Sequence, residues 1–160
     1  MFQTETESFP VEYVEQLSDF FRNIVNYRDK DIIALKEELG LLQTYLFIQQ
    51  KRFGKSLRLQ INLSDAEKRE TFIPPLTLQL LGENAIKHNA VSKETPLTIN
   101  IFIQNDRLLV ENNINAKIGK AAGAGMGLQN IVNRYTLLSN QKVIIKNSDK
   151  NFTVSLPILK

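Results

Sequence analysis

The spacing of apolar residues changes character twice along the chain. From Pro10 onward, Val14, Leu17, Phe20 or Phe21, Ile24 and Val25 recur at helical spacing until the charged run Arg28 to Asp31 interrupts them. A second helical pattern carries Leu35, Leu39, Leu42, Leu46 and Phe53 and stops at Gly54, a residue suited to ending a helix. Lys51 and Arg52 fall in its last turn, where the helix dipole favours cations. The two segments predict a helical hairpin over residues 10–54, preceded by a polar, aperiodic start at residues 1–9. Two helices alone hide little apolar surface. Phe20, Phe21, Leu42, Tyr45, Leu46 and Phe47 exceed what one hairpin covers, so part of the seam is expected to meet a second copy.

The period then falls to two. Leu57, Leu59, Ile61 and Leu63 alternate with Arg58, Gln60 and Asn62, which predicts a half-buried strand. A charged turn, Asp65 to Glu70, leads to a short strand at Thr71 to Ile73. Pro74-Pro75 then opens a helix from Leu76 to Asn89, with Leu76, Leu80 and Ile86 toward a core. Alternation returns at Leu97, Ile99, Ile101 and Ile103, turns at Asn105-Asp106 and runs back through Leu108 to Val110. A stretch of small and polar residues, Asn112 to Gly127, leads into a helix with Leu128, Ile131, Tyr135 and Leu138 on one face. Val143 to Ile145 and Phe152, Val154 and Leu156 close the chain as a hairpin. This order predicts an α+β fold: a mixed sheet covered by helices on one face, an α/β sandwich over residues 55–160, behind the helical hairpin.

Composition narrows the chemistry. There are no cysteines and one histidine, so thiolate, disulfide and multi-histidine metal sites within the chain are excluded. No apolar run approaches the roughly 20 residues a membrane helix needs. The net charge of +3 is carried by scattered Lys and Arg, which reads as a solvated surface rather than a nucleic-acid footprint.

Two stretches remain that a core does not explain. Glu83, Asn84, Lys87 and His88 crowd about one turn of the central helix, away from its apolar positions. Gly123, Gly125 and Gly127 permit close backbone approach and run into a helix start at Leu128, where free N–H groups attract anions. The spacing is neither the dinucleotide fingerprint nor a Walker A loop. Magnesium takes one or two protein oxygens plus substrate phosphates, and the Asn84 amide oxygen facing a glycine cradle suits it. Lys87 can meet a terminal phosphate as a point charge. The bland alternative is a Glu83–Lys87 surface ion pair, contributing a few tenths of a kcal/mol.

ENAIKHN followed by GAGMGLQNIVNRY resembles the N box and second glycine box of the Bergerat-fold (GHKL) ATP-binding domain, most closely in LytS-like sensor histidine kinases. The helical segments LSDFFRN, LKEEL and YLFIQQKRF resemble that class's stretch between phosphoacceptor histidine and catalytic domain. The resemblance implies ATP and Mg²⁺ as ligands, a response regulator of LytTR type as partner, and a homodimer formed through the hairpin. It puts Asn84 at the magnesium asparagine, Lys87 at a phosphate-contacting basic position, His88 near the adenine, and Gly125, Gly127 and Leu128 at the end of the ATP lid. Glu83 matches the acidic residue beside the asparagine, able to orient the metal's waters or assist proton transfer. In place of the Asp-x-Gly of the first glycine box, the chain has Asn112 and Ile114; an amide oxygen can still accept the adenine hydrogen bond but without charge assistance, so weaker adenine recognition is expected. The sole histidine, His88, belongs to the N box. The acceptor histidine is therefore expected outside this sequence, read as a cytoplasmic piece of a protein with a membrane sensor upstream. Two other readings stay open: a dimerisation module with a decayed nucleotide site, and a serine kinase of the anti-sigma type.

Overall fold

A computed structural model describes residues 11–115 and 126–159. Helix α1 spans Val11–Tyr27 and α2 spans Leu35–Phe53, with the short strand β1 (Ile33–Ala34) between them. Gly54 ends α2 with φ of 57°, its N–H bonded to the Gln50 carbonyl, a conformation that favours glycine. One 3₁₀ turn, Gly54–Ser56, passes into β2 (Leu57–Asn62).

The stretch expected as a charged turn is a helix, α3 (Asp65–Glu70). Its capping box was present in the sequence: the Ser64 hydroxyl accepts the Glu67 N–H at 3.1 Å, and Glu67 Oε2 accepts the Ser64 N–H at 2.7 Å. Strand β3 (Phe72–Ile73) pairs not with the main sheet but with β1, antiparallel, Ile33 opposite Ile73.

Helix α4 spans Thr77–His88 and begins later than the sequence suggests. Leu76 adopts φ of 65°, outside the helix, so the register counts from Thr77. The buried apolar face is accordingly Leu78, Leu81, Gly82 and Ala85, at i, i+3, i+4 and i+7, while Leu76, Leu80 and Ile86 are half-buried. Pro74 and Pro75 are buried ahead of the helix rather than forming its first turn.

Strands β4 (Leu97–Gln104) and β5 (Arg107–Asn113) form a hairpin whose two turn residues, Asn105 and Asp106, both have positive φ, the arrangement that suits strand twist. Helix α5 (Met126–Leu138), β6 (Ile144–Asn147) and β7 (Asn151–Pro157) complete the chain. Of the apolar face expected on α5, Ile131 and Tyr135 are buried, Leu128 is half-buried and Leu138 is exposed. Strand β6 starts one residue after Val143 and is exposed along its length as an edge.

The five-stranded sheet has the order β2-β4-β5-β7-β6, parallel between β2 and β4 and antiparallel elsewhere. Its apolar face, including Leu57, Leu97, Ile99, Ile101, Leu108, Val110, Val154 and Leu156, shares one core with residues of α2, α4 and α5. The opposite face carries polar cross-strand bonds, Asn62 to Asn100 and Thr153 to Glu111, each 2.8 Å. The mixed sheet with helices on one face is the fold the sequence pattern predicts.

Helix α2 belongs to this core. Leu35, Leu39, Leu42 and Leu46 pack against the sheet and α4, so these residues of the hairpin seam face the following elements rather than a second copy. The approach is close: a Cβ on Gly82 would lie 2.7 Å from Leu42 Cδ1. Glu38, fully buried in the first turns of α2, reaches across to α4, where its Oε1 accepts the Thr77 N–H at 2.7 Å. Since Leu76 offers no side-chain cap, this carboxyl of another helix satisfies one of the free N–H groups at the start of α4.

Candidate functional site

Locking Leu78, Leu81, Gly82 and Ala85 into the core turns the Glu83, Asn84, Lys87 and His88 positions of α4 away from it. Glu83 and Lys87 are exposed, and Asn84 and His88 are half-buried between them. The Glu83–Lys87 ion pair of the bland alternative does not form; the one ion pair among the described residues is Arg22–Asp19 at 3.4 Å. Glu83 Oε1 instead accepts a hydrogen bond from Gln79 Nε2, one turn earlier, at 2.9 Å. Among the described residues, Asn84, Lys87 and His88 have no side-chain hydrogen bond. Tyr45 of α2 adjoins this group: burial, and secondarily the Glu83 carboxylate, push its phenol up to about 12.

The far end of α4 is fastened to β5 by asparagines. Asn89, 5% exposed, donates to the Ala85 carbonyl at 2.8 Å and accepts the Asn115 N–H at 2.8 Å. The Ala90 N–H donates in turn to the Asn115 carbonyl, and the Asn115 and Asn113 amides both donate to the Pro96 carbonyl at 2.9 Å. Sequence reading missed Asn89, Asn113 and Asn115. Their signal was a run of asparagines where a strand ends, opposite another at the end of a helix.

Asn112 is buried on the helix-facing side of β5, in line with Leu108 and Val110. Its Nδ2 donates to the Asn113 carbonyl at 2.9 Å, which leaves Oδ1 as the acceptor able to meet a ligand. Ile114 stands where a glycine was expected, and no left-handed backbone is needed there: positive φ among the described residues occurs only at Gly54, Leu76, Asn105 and Asp106. The Ile114 N–H instead bonds the Lys150 carbonyl at 2.9 Å and extends the line of β5 beside β7.

Gly127 and Leu128 sit in the first turn of α5, and a Cβ on Gly127 would touch Leu80 of α4 at 3.6 Å. The anion-attracting end of α5 is thereby held against the helix that carries Asn84 and Lys87. Gly123 and Gly125 lie outside the described residues. No three His, Cys, Asp or Glu side chains among the described residues could together hold a metal. The donor set fits a magnesium ion that takes most of its ligands from phosphate and water, with the unengaged Asn84 amide oxygen as the protein's contribution.

Residues 2–57 match the family described as Histidine kinase. Over 132 residues the chain is 33% identical to the sensor histidine kinase YesM of Bacillus subtilis, covering 78% of this chain and 22% of that protein. Over 141 residues it is 29% identical to the sensor histidine kinase/phosphatase LytS of Staphylococcus aureus, covering 75% of this chain and 23% of that protein. The chain thus spans less than a quarter of the length of these relatives. Among solved structures, the Acinetobacter baumannii histidine kinase AdeS superposes with a TM-score of 0.51 at 14% identity, over 94% of this chain and 81% of that one. The catalytic domain of the histidine kinase ThkA superposes with a TM-score of 0.55 at 12% identity, over 81% of this chain and 97% of that one. At these identities the two structures speak to the fold alone. No helix among the described residues is long and apolar enough to cross a membrane.

Proposed function

From its homology to the sensor histidine kinases, we propose that this chain is the ATP-binding catalytic portion of such a kinase, passing the γ-phosphoryl of ATP to a histidine outside this sequence and thence to a response regulator. One observation carries the reading: Asn84 and Lys87, without partners among the described residues, share a turn of α4 beside the glycine-led start of α5. Residues 10–54 are then the end of the dimerisation hairpin and residues 55–160 the ATP-binding domain, with α2 of the hairpin packed into that domain's core.

Asn84 would hold Mg²⁺, which when bound neutralises charge on the phosphates. Lys87 places a cation at the terminal phosphate, and the N–H groups opening α5, with the glycine run, cradle the chain of phosphates. Asn112 Oδ1 accepts a hydrogen bond from the adenine amino group, and His88 lies toward the base. One nitrogen of the acceptor imidazole bonds to phosphorus as the bond from phosphorus to the ADP oxygen breaks. Glu83 takes the proton from the other ring nitrogen.

Lys87→Ala tests the phosphate contact. A charge-assisted contact to the terminal phosphate makes ATP affinity fall about tenfold or more while ADP loses far less. Calorimetric titration with both nucleotides checks this, and equal losses would remove Lys87 from that position.

Dimerisation rests on α1. Val11, Val14, Phe21 and Val25 form an exposed stripe opposite the buried Phe20, and Phe21 is 58% exposed. Two such stripes facing each other give the second copy its place. The regulator that receives the phosphoryl group is of LytTR type in this reading. Phe21→Glu should weaken self-association about tenfold in sedimentation equilibrium, since it puts a charge where an aromatic ring is buried. An unaltered profile would place the interface elsewhere.

A further inference from the structure

Gln79 is an expensive residue for its position. It is 5% exposed, in a helix face otherwise made of Leu78, Leu81, Gly82 and Ala85, and its Oε1 is buried with no partner among the described residues. Its one side-chain hydrogen bond among the described residues is the Nε2 donation to Glu83 Oε1 at 2.9 Å. An apolar side chain would pack here with no polar atom to satisfy, so packing does not account for the amide.

The order of charges on α4 does. Glu83 precedes Lys87 by four residues, the orientation in which a carboxylate and an ammonium pair best on a helix. They are nonetheless unpaired among the described residues, while Gln79 binds the carboxylate on the side toward the start of the helix.

We infer that Gln79 is a positioning residue that keeps Glu83 off Lys87, leaving the Lys87 ammonium free for the terminal phosphate and the second Glu83 oxygen free to accept a proton. The inference rests on the nucleotide-site reading above, but the contact it concerns exists without a ligand. Replacing Gln79 frees Glu83 to capture Lys87. Nucleotide affinity then falls, although neither position 79 nor its substituent touches the nucleotide.

The test is a double-mutant cycle in the full chain: native, Gln79→Leu, Glu83→Gln and the pair together. The Lys87 Nζ chemical shift, followed by NMR without ligand, should move in Gln79→Leu and return to its native value when Glu83→Gln is added. In calorimetry with an unhydrolysable ATP analogue, Gln79→Leu should lose about two- to threefold in affinity, and the added Glu83→Gln should restore it. A purely structural role for Gln79 gives loss without restoration, and an unmoved Lys87 signal overturns the inference. If the native chain fails to bind the analogue, the nucleotide reading fails while the Lys87 signal still decides the role of Gln79.

Discussion

Asn84→Ala abolishes the magnesium dependence of ATP-analogue binding and leaves the fold as stable as before, or slightly more so. Both halves follow from where Asn84 sits. Its side chain is half-buried on the outward turn of α4 and makes no hydrogen bond among the described residues, so nothing structural is lost with it. Alanine is also the better helix former, by several tenths of a kcal/mol. Structural upkeep therefore does not explain an asparagine in the interior of this helix, whereas the proposed metal contact gives it a reason. With no cluster of acidic or histidine side chains among the described residues to take over, loss of the one amide oxygen should cost on the order of 100-fold in affinity measured with Mg²⁺. Without Mg²⁺, the native chain and the variant should bind alike. Calorimetric titrations with and without the metal, beside a thermal melt, check both halves. A variant that keeps the native response to Mg²⁺ would take Asn84 out of this role. Failure of the native chain to bind at millimolar ligand would favour the decayed-site module, with Asn112 the first residue to exchange for aspartate.

What could be read from the chain alone divides by range of interaction. The polar set Glu83, Asn84, Lys87 and His88 was legible because helical spacing alone brings it together. The alternating strands were legible because their burial follows a period of two, as in Leu97, Ile99 and Ile101. Most of the missed packing depends on partners far along the chain. Strand β1 is two residues long and exists because Ile33 meets Ile73. Leu42 and Leu46 looked like an exposed seam because nothing local reveals that α2 packs on α4 and the sheet. The register of α4 was misjudged through one residue, Leu76, whose left-handed backbone no apolar pattern announces. Gln79 passed unnoticed inside the apolar run LQLL, where a buried amide has no signature until its bond to Glu83 is seen. Only α3 was misread against a clear local signal, the Ser64–Glu67 capping box, because its charge suggested a turn.

Glu38 carries the other large effect, a fall in stability with rising pH. Burial raises its carboxyl from an ordinary 4.5 to about 8, against the opposing pull of the Thr77, Leu76 and Leu78 N–H groups and of Arg134. The folded state therefore holds a proton that the unfolded state releases above about 4.5. Between that pH and about 8 the unfolded chain binds fewer protons, so the free energy of unfolding declines with a limiting slope of about 1.4 kcal/mol per pH unit from this one group. Below that window both states are protonated, above it both are ionised, and the contribution levels off. Glu38→Gln keeps an oxygen to accept the Thr77 N–H but cannot ionise. In urea denaturation across the window, it should shed this part of the slope and be more stable than the native chain at the alkaline end. Taking the difference between the two proteins removes the background from every other titrating group. Glu38→Ala behaves differently: it leaves the Thr77 N–H buried without its partner and opens a cavity between α2 and α4, costing about 3 kcal/mol. Matching slopes for the native chain and Glu38→Gln would show that the carboxyl is not held neutral. The contrast between the two variants also bears on the site. Glu38 belongs to the hairpin and Thr77 to the helix that carries Asn84 and Lys87, so the cap fixes one relative to the other. Removing it should loosen nucleotide binding, whereas the glutamine variant, with the bond intact, should bind as the native chain does.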